Sequence, residues 1–293
     1  MEFSHHRTVV QSAREYSRGI AGALVFSLPL LFTMEVWWAA AVLHPGRLVL
    51  YVVVTMGLLL LYNRFAGLRE DAGWAEVAID SVEEMGLGLM VAAAVLWLAG
   101  QINGEMSVPE QTAKIVMEGM TVAIGVSVGT AQLGGEPEGD EGLRGDNSRS
   151  DYDYLAQASL GLCGATLFAA NISPTEEVRI IAAKCHPGAL LIFAGVSLMF
   201  CAVVLHFSEM HGTDRFAGGG SAPNRWRGVI TTYAVALVSS AGCLYLFGNL
   251  DDQHWRLAVA MTVVLGLPAT LGASAGRMLL QSGSKSNSDS NSK

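Results

Sequence analysis

Apolar residues fall in blocks about twenty positions long, separated by short polar stretches, at residues 19–43, 47–66, 78–100, 110–133, 158–183, 187–208, 227–248 and 255–280. A hydrocarbon layer about 30 Å thick is spanned by roughly 20 mostly apolar residues in an α-helix. The pattern therefore predicts an all-α membrane protein with about eight transmembrane helices. Residues 1–18 form a cytoplasmic N-terminal segment. Residues 134–157, with the run Glu136 to Asp153 (EPEGDEGLRGDNSRSDYD), read as an acidic cytoplasmic loop. Residues 282–293 (SGSKSNSDSNSK) read as a disordered tail, and Ala217–Ser221 (AGGGS) as a flexible loop. A polar segment precedes the first apolar block and no small-residue cleavage site follows it, so that block is expected to stay as an anchor.

Lysine and arginine orient the spans. With the N-terminus inside, Arg7, Arg14, Arg18, Arg64, Arg69, Arg144, Arg149, Arg215, Arg225, Arg227, Arg277, Lys285 and Lys293 fall on the inner side. Only Arg47, Lys114, Arg179, Lys184 and Arg256 fall on the outer side. The tryptophans agree: Trp37, Trp38, Trp97 and Trp255 mark outer helix ends, and Trp74 and Trp226 inner ones. Both termini are expected in the cytoplasm.

The pattern repeats. Gly19-Ile-Ala-Gly22-Ala23-Leu-Val-Phe26 returns as Gly161-Leu-Cys-Gly164-Ala165-Thr-Leu-Phe168, a step from 19 to 161. At the same step Thr33-Met-Glu35-Val36 pairs with Thr175-Glu-Glu177-Val178, and His44-Pro45-Gly46 with His186-Pro187-Gly188. Further on, Leu96-Trp-Leu98-Ala-Gly100 matches Leu244-Tyr-Leu246-Phe-Gly248 across a small gap. This predicts two parallel four-helix repeats, 19–133 and 158–281, related by an axis along the membrane normal. The two His-Pro-Gly sets become tight outer turns, where proline and glycine suit a helix stop and restart.

Composition agrees with the pattern: 51% of the 293 residues are apolar and 15% charged, against about 25% charged in ordinary soluble domains. The net charge of −8 is concentrated in the acidic loop and points to no partner, and no basic stripe for nucleic acid is present. Cys163, Cys185, Cys201 and Cys243 lie in or beside apolar runs without metal-ligand spacing and read as small core residues. The lipid bilayer is the one partner composition requires.

Ionisable groups within the spans are the functional candidates, since each costs several kcal/mol there. Glu35 and Glu177 occupy equivalent places in the outer halves of spans one and five. Near the axis such a pair could coordinate a hard cation, with Thr33 and Thr175 supplying hydroxyls, or share one proton. Pro29, and Pro174 with Asn171, can open the helix ladder nearby. Alternatively the acids bond neighbouring helices, or Glu177 pairs with Arg179 or Lys184. Asp80, Glu83 and Glu84 enter span three from the cytoplasm, near one face with Glu76. They read either as a cation mouth or as a solvated helix end; Thr231 and Thr232 stand opposite the two glutamates in the second repeat. Lys114 and Glu118, four apart, are expected to neutralise each other. His44 and His186 read as structural turn residues, with metal ligation or proton relay as the alternative. Gly125–Gly129 and Gly272–Gly276 suit close helix packing. No nucleophile–base set, zinc motif or phosphate loop appears, so the reading is non-enzymatic and cofactor-free apart from a bound cation.

Arg-Glu-Tyr-Ser-Arg-Gly (Arg14 to Gly19) followed by Pro29-Leu-Leu-Phe-Thr33-Met34-Glu35-Val36-Trp37, Arg64-Phe65-Ala66-Gly67, Ser173 to Glu177 (SPTEE) and Gly272-Ala-Ser-Ala-Gly276-Arg277 together resemble a family of bacterial integral membrane proteins of unknown function. The resemblance covers nearly all the membrane part. It implies a bacterial inner-membrane location and supplies no substrate, cofactor or catalytic residue. The duplication and the paired acids Glu35 and Glu177 set the expectation instead: a cation or proton channel or secondary transporter, with a non-transporting scaffold or sensor as the alternative.

Overall fold

The computed structural model of the protein describes residues 9–66, 73–132, 149–210 and 222–283. Residues 1–8 of the expected N-terminal segment, 133 at the end of the first repeat, 134–148 of the acidic loop, the Ala217–Ser221 stretch and the tail from 284 lie outside the described residues. Among the described residues the chain is helical throughout, with no strand. In chain order the helices are α1 (Val9–Leu31), α2 (Met34–Val42), α3 (Pro45–Ala66), α4 (Trp74–Leu98), α5 (Val108–Gln132), α6 (Arg149–Ile172), α7 (Glu176–Lys184), α8 (Pro187–Met210), α9 (Ala222–Leu246) and α10 (Trp255–Gly283). Helix α6 begins inside the stretch read as acidic loop.

Among the described residues seven helices are long and apolar enough to cross a membrane: α3, α4, α5, α6, α8, α9 and α10. The expected first span, 19–43, is not one helix. It divides at Phe32–Thr33 into the end of α1 and the short α2, and the expected fifth span divides likewise at Ser173–Thr175 into α6 and α7. The cause is local. Pro29 has no N–H to continue the ladder, the Thr33 hydroxyl donates to the Pro29 carbonyl (2.6 Å), and the Thr33 N–H turns back to Leu30 O (2.9 Å). In the second case Pro174 intervenes, and the Thr175 hydroxyl donates to Ile172 O (2.8 Å).

Asn171 ties these breaks together. Its Oδ1 accepts the Leu30 N–H (3.0 Å) and its Nδ2 donates to Phe26 O (3.2 Å). Those two groups are the donor and acceptor of one i→i−4 helical rung, so a carboxamide from α6 sits across a rung of α1. Asn171 lies at the place equivalent to Pro29 in the 19-to-161 step.

Helices α1, α2, α3 and α4 all pack on α5, and α6, α7, α8 and α9 all pack on α10. The spanning part of α5 is 83% buried, whereas that of α8 is 11% buried and presents Leu191, Ile192 and Met199 outward to lipid. Crossings at α5 and α10 depend on missing side chains. A Cβ on Gly22 would lie 2.2 Å from Gly129 Cα, and one on Gly164 would lie 2.2 Å from Gly272 O, which lets backbones approach as small residues do in membranes. Helices α4 and α9 end alike, on Gly100 (φ 70°) and Gly248 (φ 77°). There the Gln101 N–H bonds Leu96 O and the Asn249 N–H bonds Leu244 O, each spanning five residues, as in a Schellman stop.

The His-Pro-Gly turns have a physical explanation. Pro45 and Pro187 open α3 and α8, where a missing N–H costs nothing. Nδ1 of His44 accepts the Gly46 N–H (3.1 Å), and Nδ1 of His186 accepts the Ala189 N–H (2.9 Å). Each histidine therefore caps a spanning helix, and its ring lies where a Cβ at Gly46 or Gly188 would sit, at 3.1 and 3.3 Å. His254 repeats the device before α10, accepting the Arg256 N–H (3.3 Å). The structural reading of His44 and His186 therefore holds.

Candidate functional site

Of the acids singled out from sequence, Glu84 is drawn into a polar interior. Its Oε2 accepts from Asn63 Nδ2 (2.7 Å), which also reaches Ser81 Oγ (3.1 Å), and Ser127 Oγ donates to Asn63 Oδ1 (3.3 Å). Asn63, Ser81 and Ser127 are buried and come from α3, α4 and α5, so the Asn63 amide joins three helices in one polar network that ends on Glu84. Half-buried Asp80 and exposed Glu83 lie within electrostatic reach of it. Glu76 accepts the Gly73 N–H (3.2 Å) at the start of α4.

Glu35 is half-buried and Glu177 exposed, each in the first turn of its short helix, α2 or α7. Among the described residues no hydrogen bond or ion pair joins either to the other, to Arg179 or to Lys184. Helix α2 packs on α5, and α7 on α10. The hydroxyls of Thr33 and Thr175 are spent on the backbone at the two breaks.

The expected Lys114–Glu118 pair does not form. Lys114 Nζ turns to Glu110 (3.7 Å), to Gln101 O (3.1 Å) and to Met106 Sδ (3.7 Å). Glutamate one turn before lysine is the favourable order along a helix, and α5 side chains lean toward its N-terminus, so the ammonium is taken from the other side. Glu118 is left fully buried near the middle of α5, with neither carboxyl oxygen hydrogen-bonded. The Trp37 indole from α2 faces it without hydrogen-bond geometry, and its N–H is likewise buried and unpartnered. Tyr51 from α3 is within electrostatic reach, and its hydroxyl meets Thr121 Oγ1 (2.5 Å) one turn along α5. Thr55, the next turn of α3, carries a further buried hydroxyl without a partner.

The second half has a polar cluster of its own, built on a cation. Arg277 on α10 donates to Gly228 O (3.0 Å), to Thr232 Oγ1 and to Gln157 Oε1. Between the halves, Arg47 at the start of α3 grips Asp251 with two bonds (2.5 and 2.6 Å) and lies over the Tyr245 ring (4.9 Å). This pair, with His44, lines a groove at the end of the bundle where α3 and α10 begin. Arg47 holds the Asp251 carboxyl below the usual carboxylate range, through its hydrogen bonds first and then its charge. No group of three metal-ligating side chains occurs among the described residues.

Seven helices long and apolar enough to cross a bilayer, polar groups gathered between them, and apolar faces turned outward define a multi-pass helical membrane protein. Residues 15–280 match the model of the family described as "Putative integral membrane protein (DUF2391)", and the chain belongs to that family. No curated protein and no solved structure matches it.

Proposed function

We propose that the protein carries protons or small cations across a bacterial inner membrane through its first half, between α3, α4 and α5. The observation that carries this reading is Glu118, a fully buried carboxyl in the middle of a spanning helix with no hydrogen bond and no ion pair. A packed membrane protein gains nothing from such a group structurally, and intramembrane acids mark ion and proton pathways. A carboxyl in apolar surroundings can hold a proton without net charge and release it when water or another acceptor arrives.

Other acids extend the path in both directions. Glu35 stands two residues before Trp37 on α2 and forms the outer approach, with Thr33 beside it; Glu177 and Thr175 hold the equivalent place in the second half. Glu84 lies toward the opposite end, followed by Glu83 and Asp80 at the cytoplasmic mouth. The basic-residue bias sets this orientation, with both termini inside and eight crossings if α1 and α2 together make the first. The matching order of long and short helices, the paired breaks, the paired glycine stops and the paired histidine caps support a duplicated unit.

The test is flux from proteoliposomes. Glu118→Gln should abolish proton or cation flux while leaving a monodisperse, folded protein, and Glu84→Gln should reduce it. Glu35→Gln with Glu177→Gln tests the outer approach. Wild-type flux no greater than that of empty liposomes, or full flux in Glu118→Gln, would overturn the proposal in favour of a non-transporting scaffold.

A further inference from the structure

The same site, on the reading just given, also carries an identity for the transported species. We infer that it is the proton, relayed by side-chain hydroxyls from Glu118 toward Glu84 across an apolar plug formed by Leu58 and Ile124.

The relay is written in the order of residues along two helices that run in the same direction. On α5, Glu118 is followed one turn later by Thr121 and then by Ser127; on α3, Tyr51 is followed by Thr55 and then by Asn63. Tyr51 joins the upper members of the two files through its bond to Thr121 Oγ1 (2.5 Å), and Ser127 joins the lower members through its bond to Asn63 Oδ1 (3.3 Å). Tyr51, Thr55, Asn63, Glu118, Thr121 and Ser127 are all buried. A hydroxyl both donates and accepts, so it can take a proton on one side while giving one up on the other; the Asn63 carboxamide only positions its neighbours, and the Ser127 hydroxyl, within reach of the Glu84 carboxyl, makes the last transfer. A metal cation instead needs six or so oxygens arranged around it, and the upper part of this file offers one carboxyl ringed by an indole, a phenol and a threonine.

The file is broken twice: the Glu118 carboxyl is bonded to neither Tyr51 nor Thr121, so rotation of that carboxyl must close the first link, and a longer gap follows. Thr121 and Ser127 are six residues apart, about 9 Å along α5 and roughly a third of a turn around it, so the path passes from one face of α5 to another. That interval holds Ile124 of α5 and Leu58 of α3, both buried in one apolar cluster with Tyr62 and Val128. The Thr55 hydroxyl, buried and without a partner, lies at the upper edge of this plug. Its free valence is where an entering water would be held. Two acids separated by a short apolar layer form an arrangement that conducts only when wetted, which keeps the membrane sealed at rest.

The experiment uses full-length protein in vesicles loaded with a pH-sensitive dye, driven by a potassium diffusion potential, with sodium and potassium uptake followed separately. Tyr51→Phe and Thr121→Val each remove one hydroxyl at nearly constant shape. They should cut proton flux by roughly a hundredfold, the scale of one positioned proton-transfer group. Ile124→Ser should act in the opposite direction and raise it. This gain of function cannot arise from misfolding when the vesicles remain tight to sodium. Glu118→Gln silent with Tyr51→Phe and Thr121→Val unchanged would overturn the hydroxyl relay while leaving the pathway of the preceding section intact. A flux of sodium or potassium that follows Glu118 would overturn the proton as substrate. Full proton flux in Glu118→Gln would remove both.

Discussion

Replacing Glu118 by leucine sets stability against function in one variant. Both carboxyl oxygens are buried without a partner, and an unsatisfied buried polar group costs about 1–3 kcal/mol. The insertion cost of a charged residue at a helix centre is of similar size, about 2.5–3.5 kcal/mol. Leucine is close to glutamate in volume and leaves no cavity, so the gain is not offset by lost packing. Hydrogen bonds between membrane helices average only about 0.6 kcal/mol, and here there is none to lose. Glu118→Leu should therefore be more stable than wild type by about 1–3 kcal/mol while transporting nothing. Glu118→Gln keeps polar atoms in the same place and should be inactive with little change in stability. The assay is reversible unfolding in mixed micelles for all three proteins, beside flux from the same preparations. If Glu118→Leu is less stable than wild type, the carboxyl is bonded within the fold and the reasoning fails. If it is more stable and still conducts, the carboxyl is neither structural nor on the path.

Other predictions concern the frame. Asp251→Asn should weaken the end of the bundle by no more than about 1 kcal/mol, as exposed ion pairs do. Because Arg47 lowers the folded-state Asp251 value, this contribution is full above the ordinary aspartate range near 3.9 and disappears as pH falls through the folded value. Melting curves of wild type and Asp251→Asn should therefore converge on acidification below about pH 4. Gly129→Val places side-chain atoms where Gly22 Cα already lies (2.3 Å from an added Cβ) and should part α1 from α5, which protease sensitivity in detergent would register as a large loss. His186→Ala should cost about 1 kcal/mol as a lost helix cap, and His186→Asn should recover most of it, read out by the same unfolding curves.

Much of the frame was legible in the residues because the bilayer imposes it. Hydropathy located the seven described helices that can span and counted an eighth in 19–43 that is broken in two; His-Pro-Gly was legible as a turn because turn chemistry is local, whereas Gly100 and Gly248 stood out only as matched letters. The division of the first and fifth blocks was not legible, because a proline in an apolar run is compatible with a kink or a break; threonine bonds to the backbone complete each break, and at the first the Asn171 amide from α6 adds to them. The site was harder. Spacing of four between Lys114 and Glu118 suggested a neutral pair, but spacing states only which groups share a face. Helix polarity, Glu110 on the preceding turn and the Gln101 carbonyl draw Lys114 away. An acid at the middle of a span was the available signal for Glu118, and its apparent partner masked it. Glu84 was singled out by position, but Asn63 and Ser127, which gather around it, are unremarkable letters in apolar runs until three helices meet.

The carboxamide of Asn171 across the Phe26–Leu30 rung has a mechanical consequence. A rung bridged by a side chain of α6 cannot close on itself, so the end of α1 is held open for as long as α6 stays where it is. Asn171→Leu removes the bridge and leaves the Leu30 N–H and the Phe26 carbonyl to bond each other as an ordinary rung. The first break is thus set by the seating of α6 against α1, and the two helices act there as a latch and its catch.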